Sequence, residues 1–278
     1  MTHLSELSSL LPRGRVSQGE ADRVAYGRAL WPRLTIATAA GEVSSQRPWA
    51  VAWPRTPQEV AQVLAWASRR EVPIVPFGAG SGVCGGTIPP AEGLVLDLKG
   101  LDAIEEIDPL SMTATIQAGA VGEPLERRLR ARGVTLGHFP SSIACSTLGG
   151  WIAARSAGQL SSRYGKIEDM VTALEVATPR GELFWTNQPG SFDLTPLIIG
   201  SEGTLGVITR ARLRVHPAPE AMVLRGLRFP SVTLGLQAMA ALMQHDLRPA
   251  VLRLYDPFDT LMALAGTKRR PQGESLLG

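Results

Sequence analysis

The run Pro76-Phe-Gly-Ala-Gly-Ser-Gly-Val-Cys-Gly-Gly86 places five glycines in eleven residues, directly after the strand-like Val72-Pro-Ile-Val-Pro76. Glycine reaches positive φ without steric cost and lets a backbone approach a ligand closely. Successive N–H groups in such a loop form a concave nest that suits phosphate. Its inner part, Gly80-Ser-Gly82-Val-Cys-Gly85, fits the dinucleotide pattern G-x-G-x-x-G. That pattern has meaning only where the third glycine opens a helix and an acid follows about twenty residues on. Asp102 stands near that distance, but Thr87-Ile-Pro89-Pro90 comes next, and two prolines forbid a helix from opening there. The Rossmann reading is therefore rejected. A phosphate loop of another kind and a glycine-rich surface turn without a ligand both stay open on this stretch alone.

At 278 residues the chain suffices for one large or two medium domains. Hydrophobic residues make up 44% and charged residues 19%, which excludes a disordered chain. The net charge is +3, and Arg127-Arg128-Leu-Arg130-Ala-Arg132 lies on an expected helix without interleaved aromatics. A nucleic-acid surface is not expected from that pattern. Cys84 and Cys145 are too few for a disulfide framework and suit a reducing compartment. No apolar run approaches the roughly twenty residues of a transmembrane segment. The N-terminus lacks the charged and apolar regions of a secretory signal, so the cytoplasm is the expected location. His3, His138, His216 and His245 stand far apart, and no metal site is expected.

A helical segment is expected within residues 1–47, around Gln18–Val24. Thr56-Pro-Gln-Glu59 reads as a capping box with proline at the first helical position. Val60, Val63, Leu64 and Ala67 behind it form one apolar helix face. Strands are expected at Leu94–Leu98, Ile104–Ile107 and Met112–Gln117, then a helix from Gly122 to Gly133 with Leu125 and Leu129 inward. A short helical stretch follows at Trp151–Ser156. Val171–Ala177 and Glu182–Trp185 flank Pro179-Arg-Gly181, a hairpin signal. After His216-Pro-Ala-Pro219, a boundary, the chain reads strand (Met222–Arg228), helix (Val232–Met243), strand (Ala250–Tyr255). Two strands and a helix leave exposed edges, so this part is expected to be the start of a second domain, with the tail Thr267–Ser275 lacking a partner.

Two further loops of small residues are present, Pro140-Ser-Ser-Ile-Ala-Cys-Ser-Thr-Leu-Gly-Gly150 and Gly200-Ser-Glu-Gly-Thr-Leu-Gly206. Each alone fits a tight turn; three together suit a long folded ligand with several polar zones, such as a flavin dinucleotide. In that reading the Pro76 loop supplies amides to the pyrophosphate. Ser141, Ser142, Ser146 and Thr147 offer hydroxyls to the isoalloxazine edge or phosphate, and Glu202 to Ile208 close over adenine or ribose. No nucleophile elbow or P-loop lysine motif occurs. Glu168-Asp169 is a candidate acid/base pair or a solvated turn, and Tyr164 a candidate proton donor or a core tyrosine. Arg253 is a candidate anion ligand or a surface ion-pair member.

Pro76-Phe-Gly-Ala-Gly-Ser-Gly82, Pro140-Ser-Ser with Ser146-Thr-Leu-Gly-Gly150, and Gly200-Ser-Glu-Gly-Thr-Leu-Gly-Val-Ile208 together resemble the flavin loops of the vanillyl-alcohol oxidase / p-cresol methylhydroxylase (PCMH) superfamily. Within it, Gln18-Gly-Glu-Ala-Asp-Arg-Val24, Gly137-His138, Gly149-Gly-Trp-Ile-Ala-Ala-Arg-Ser-Ala-Gly158 and Tyr164-Gly-Lys-Ile-Glu-Asp169 are most similar to the alkyldihydroxyacetonephosphate synthases. The resemblance implies an α+β fold: a two-lobed PCMH-type FAD-binding domain over 48–217 (lobes about 48–117 and 118–217), then the start of an α/β cap over 218–278. It implies FAD contacts at Pro76, Phe77, Gly78, Ala79, Gly80, Ser81 and Gly82, and at Ser141, Ser142, Ile143, Ala144, Cys145, Ser146 and Thr147. Further contacts fall at Ala154, Arg155, Ser156 and Ala157, and at Glu202, Gly203, Thr204, Leu205, Gly206, Val207 and Ile208. Arg253 matches an arginine the synthases need for activity. Ser81 stands where covalent relatives carry a flavin-linking histidine, so noncovalent FAD is expected.

The implied activity is exchange of an acyl for an alkyl chain through flavin N5, on a small-molecule or lipid-like substrate. A homodimer is the candidate assembly. Ser141 replaces an aspartate common in the synthases, which keeps open a D-2-hydroxyacid dehydrogenase or oxidase of the glycolate or lactate type. The family's C-terminal tyrosine and histidine cluster has no counterpart within these residues, which keeps open a non-catalytic FAD-binding fragment.

Overall fold

The computed structural model describes residues 3–42, 46–90 and 93–266, and the tail Thr267–Ser275 lies outside them. The first part of the chain runs α1 (His3–Leu10), β1 (Val16–Ser17), α2 (Glu20–Tyr26), α3 (Pro32–Ala39), β2 (Ala50–Ala52), α4 (Pro57–Arg69), β3 (Ile74–Phe77) and β4 (Leu94–Asp97). The strands form one sheet in the order β1-β2-β4-β3, with β2, β4 and β3 parallel and β1 antiparallel at the edge. Both faces of a parallel sheet need cover, which explains the apolar β2 and β4. The expected face of α4 provides it: Val60, Val63, Leu64 and Ala67 pack on Ala50, Ala52, Leu94 and Leu96. The N-terminal helix adds Leu7, and Glu6 accepts from Trp66 Nε1 at 3.0 Å.

The start of α4 is half of the expected capping box. Thr56 Oγ1 accepts from Glu59 N at 3.1 Å, but the Glu59 carboxylate takes Arg55 N at 2.6 Å, and both its oxygens accept from Arg15 Nη1 at 3.0 Å. The arginine draws the carboxylate off the Thr56 amide. Thr56→Ala should cost about 1 kcal/mol, the usual value of an N-cap, measured as a lower urea midpoint at unchanged slope.

The second part runs β5 (Ile104–Asp108), β6 (Thr113–Gln117), α5 (Gly122–Arg130), β7 (Val134–Thr135), α6 (Leu148–Ala153), α7 (Ser161–Tyr164), α8 (Ile167–Met170), β8 (Val171–Ala177), β9 (Leu183–Trp185), α9 (Thr195–Ile198), β10 (Val207–Arg214) and β11 (His216–Pro217). Five strands make an antiparallel sheet in the order β5-β6-β10-β8-β9, with β8 and β9 the expected hairpin. Alternation along β10 sends Ala211 and Leu213 inward and Arg212 and Arg214 outward. The inner face packs on Leu125, Leu129, Leu148 and Ile152 from α5 and α6. The sheets divide between Asp97 and Ile104, earlier than the lobe limit at 117 read from the sequence. β5 and β6 belong to the second sheet because β6 pairs with β10, a partner about a hundred residues away. Helix α6 also opens three residues before Trp151, since Thr147 caps it through Gly150 N.

Beyond residue 217 the structure has α10 (Val232–Gln244) and α11 (Pro257–Gly266). The first is the expected helix, capped by Ser231 Oγ accepting from Leu234 N at 3.2 Å; the second was not read from the sequence. The strands expected at Met222–Arg228 and Ala250–Tyr255 do not form: both segments lack a ladder partner among the described residues. Val223, Leu224 and Leu227 are each about three-quarters exposed. A strand exists through a neighbour's N–H and C=O groups, and apolar content alone does not create one.

Candidate functional site

Ligands of open α/β sheets sit beyond the carboxyl ends of parallel strands. The glycine loop leaves β3 at that end. The ladder runs to Phe77 opposite Asp97, and Leu98 N then donates to Phe77 O at 2.9 Å. Past this point two of the loop's carbonyls are held by donors from other segments. Gly78 O accepts from Lys99 Nζ at 2.9 Å and Gly80 O from Leu30 N at 3.0 Å. The amides of Ala79, Gly80, Ser81 and Gly82 make no hydrogen bond among the described residues. Gly80 sits at φ +64°, the left-handed region that turns successive N–H groups the same way. The loop thus presents four unbonded amides while the carbonyls of Gly78 and Gly80 are engaged elsewhere, an arrangement that suits an anionic ligand.

In the second loop the hydroxyls are largely engaged within the protein. Ser142 Oγ donates to Ser146 Oγ at 3.0 Å, Ser146 Oγ accepts from Trp151 Nε1 at 2.6 Å, and Thr147 Oγ1 caps α6. Ser141, Ala144 and Cys145 face solvent, while Ile143 packs against the second core. Following α6, Ala154, Arg155 and Ala157 are exposed and Ser156 is half-buried. Arg155 adopts φ +51° and pairs with Glu168 at 2.6 Å.

The third loop is hung on the end of α6: Gly200 N donates to Ile152 O at 3.1 Å and Glu202 N to Ala153 O at 3.3 Å. Glu202, Thr204 and Leu205 are exposed, whereas Val207 and Ile208 are buried in β10 and can offer only main chain. Close approaches show that the loops meet. A Cβ on Gly78 would lie 2.3 Å from Thr147 Oγ1, and one on Gly203 would lie 2.8 Å from Pro76 Cγ. One on Gly86 would lie 2.8 Å from Glu202 Oε2. Three stretches separated by about fifty residues each thus form one surface of small residues, with the run of free amides on the first of them.

Other candidates are placed elsewhere or otherwise employed. Arg253 is exposed in the extended segment before α11, its Nη1 3.2 Å from Tyr255 Oη, and is not brought to the three loops by any hydrogen bond. Glu168 is held by Lys166 and Arg155, which keep its carboxyl below the usual range, and Asp169 accepts from Lys166 N at 2.8 Å. Both carboxylates build the turn before β8. Tyr164 is half-buried, its ring 5.0 Å from that of His216. Among the described residues no group of His, Cys, Asp and Glu is placed to hold a metal. No helix among them is long and apolar enough to cross a membrane.

Sequence reasoning overlooked the groups behind the first loop, Tyr26, Asp97 and Lys99. The available signal was Asp97, a carboxylate at the end of an otherwise apolar strand and only 2% exposed. His138 is buried to 1% exposure, with Nε2 3.2 Å from Ser156 Oγ and Nδ1 without a partner among the described residues. Burial lowers its pKa to about 4, so the imidazole is neutral in the fold. The unfolded chain takes up this proton near pH 6.5 and the folded one near 4. The His138 contribution is therefore complete above pH 6.5 and lost as the pH falls toward 4, by roughly 3 kcal/mol. His138→Gln should flatten that part of the stability profile, read by urea unfolding across this range.

The comparisons with known proteins bear on the same surface. A family model described as "FAD binding domain" matches residues 48–187, half of the chain. The chain is 35% identical over 246 residues to alkyldihydroxyacetonephosphate synthase of Dictyostelium discoideum, covering 86% of this chain and 40% of that protein. It is 36% identical over 214 residues to glycolate oxidase subunit GlcD of Bacillus subtilis, covering 75% and 46%. A solved alkyldihydroxyacetonephosphate synthase superposes with a TM-score of 0.89 at 32% identity, covering 95% of this chain and 49% of that one. The chain spans two fifths to about half of the length of these relatives. The amide-presenting glycine loop, the two loops converging on it and these matches lead to one assignment: the chain belongs to the PCMH-type FAD-binding domain family, and its cofactor is FAD.

Proposed function

We propose that the three loops hold FAD noncovalently, with the pyrophosphate on the amides of residues 79–82 and with Ser81 forming no covalent link. The observation that carries this is the contrast between tethered carbonyls at Gly78 and Gly80 and free amides beside them. Main-chain donors of the second and third loops serve the rest of the cofactor, because the Ser142, Ser146 and Thr147 hydroxyls already have partners. In the whole protein the reaction is synthase-like, the formation of an alkyldihydroxyacetonephosphate, for which bound FAD supplies N5 chemistry. Arg253 binds the anionic head of a small-molecule or lipid-like substrate in this reading. The exposed thiols Cys84 and Cys145 favour a reducing compartment such as the cytoplasm. A homodimer is part of the proposal and is checked by sedimentation.

A second reading, a D-2-hydroxyacid oxidoreductase, is favoured by the 36% identity to the glycolate oxidase subunit and by Ser141. The test begins by adding FAD and separating free from bound flavin by gel filtration, then denaturing the complex. Flavin released on denaturation supports the noncovalent site; flavin that stays with the chain excludes it, and no bound flavin overturns the site. Anaerobic bleaching of the visible flavin band by a 2-hydroxy acid selects the oxidoreductase. Chain exchange on an acyl-dihydroxyacetonephosphate without bleaching selects the synthase. A flavin complex inert in both assays leaves a cofactor-binding fragment.

A further inference from the structure

We infer that Lys99 and the N-terminal segment Tyr26–Trp31, outside the matched domain, form a clamp that sets the first glycine loop in its anion-receptive shape. The inference rests on the reading of that loop as the pyrophosphate site and adds the device that shapes it. A nest of N–H groups is held in shape when carbonyls beside it find donors elsewhere in the fold. Apart from the turn bond from Ile88 N to Gly85 O at 3.0 Å, the donors to loop carbonyls past the strand end come from this clamp: Lys99 Nζ to Gly78 O at 2.9 Å and Leu30 N to Gly80 O at 3.0 Å.

The lysine is itself held in place. Its Nζ lies 2.7 Å from Asp97 Oδ2 and stands 5.4 Å and 5.1 Å from the ring centres of Tyr26 and Phe77. Tyr26 donates its hydroxyl to the same Asp97 oxygen and accepts from Trp53 Nε1 at 2.9 Å. One oxygen of the buried carboxylate, Oδ2, is thus shared between a phenol on α2 and an ammonium that continues to the loop, while Oδ1 accepts from Lys99 N at 2.9 Å. This links α2 to Gly78. Further along, a Cβ on Gly85 would lie 3.1 Å from the Trp31 indole, so that ring covers the outer part of the loop. Lys99 is a positioning residue here, acting on the ligand through the loop.

Lys99→Met keeps an apolar stem and deletes both the donor and the charge; Lys99→Arg restores both. FAD affinity is measured by fluorescence titration of the full chain, and apo-protein melting in parallel. The expected result is at least about tenfold weaker FAD binding in Lys99→Met, from the loss of a charge-assisted hydrogen bond. Apo Tm should stay within about 4 °C, with affinity largely recovered in Lys99→Arg. Trp31→Ala should weaken binding in the same direction. Unchanged affinity in Lys99→Met overturns the clamp, as does equal loss in Lys99→Met and Lys99→Arg. A larger fall in apo Tm assigns Lys99 to the fold and overturns it too. A wild-type chain that binds no FAD overturns the reading of the site itself, which is a separate outcome.

Discussion

Replacing Gly80 by valine is expected to abolish FAD retention while the apo chain stays folded. The residue sits at φ +64°, a region that a β-branched side chain enters only with strain. Its Cβ would also lie 2.8 Å from Phe77 Cζ and 3.3 Å from Arg28 O. The ring is buried below the loop and the carbonyl belongs to the N-terminal segment, so neither yields easily. Relief comes by lifting the loop, which turns the amides of Ala79 to Gly82 away from a common centre. Loss of two charge-assisted hydrogen bonds amounts to about 4 kcal/mol, or about a thousandfold in affinity. The fold should survive because the loop lies outside the four- and five-stranded sheets and their cores. Gel filtration with added FAD gives the retention, and circular dichroism melting of apo protein the stability. Intact FAD binding in this variant would remove the pyrophosphate from this loop.

Gly119→Val should have the opposite signature, with failure of the fold ahead of any effect on the cofactor. Gly119 follows β6 and touches the connection between the two sheets. Its N donates to Leu101 O at 2.8 Å, and an added Cβ would lie 1.8 Å from Leu98 O and 2.8 Å from Leu101 O. These are main-chain atoms flanked by Leu98 and Leu101, both buried. The clash can be relieved only by moving β6 away from the connection. Neighbouring Ala118 N donates to Thr209 O at 2.9 Å, so β10 would be disturbed as well. We expect a loss on the order of 4 kcal/mol, in the range where a single change disables a domain. It should appear as insoluble expression or as a Tm lowered by about 10 °C or more. A soluble variant with an unchanged melt would show that this seam does not hold the sheets together.

Local chemistry made many elements legible. The α4 start at Thr56-Pro57, its apolar face, the hairpin around Gly181 and the helix behind Ser231 are each written in a few neighbouring residues. So were the three loops, since small residues next to strand ends are a local signal, and two prolines after Gly86 removed the competing nucleotide fold. The strands expected at Met222–Arg228 and Ala250–Tyr255 show the limit of such signals. Their composition suits a strand, but among the described residues no ladder partner pairs with either.

Sheet membership of β5 and β6, convergence of the loops and the state of each hydroxyl depended on contacts between distant residues. Ser146 looks like a ligand in the sequence, yet Trp151 Nε1 occupies it at 2.6 Å; Lys99 carries no local signal there, yet it holds Gly78 O. The pattern of glycines along Pro76–Gly86 established that this backbone can bend and present amides, because φ and side-chain size are properties of each residue. Which way those amides face was settled by Lys99 and Leu30, because a carbonyl turns toward the donor that the folded chain sets beside it.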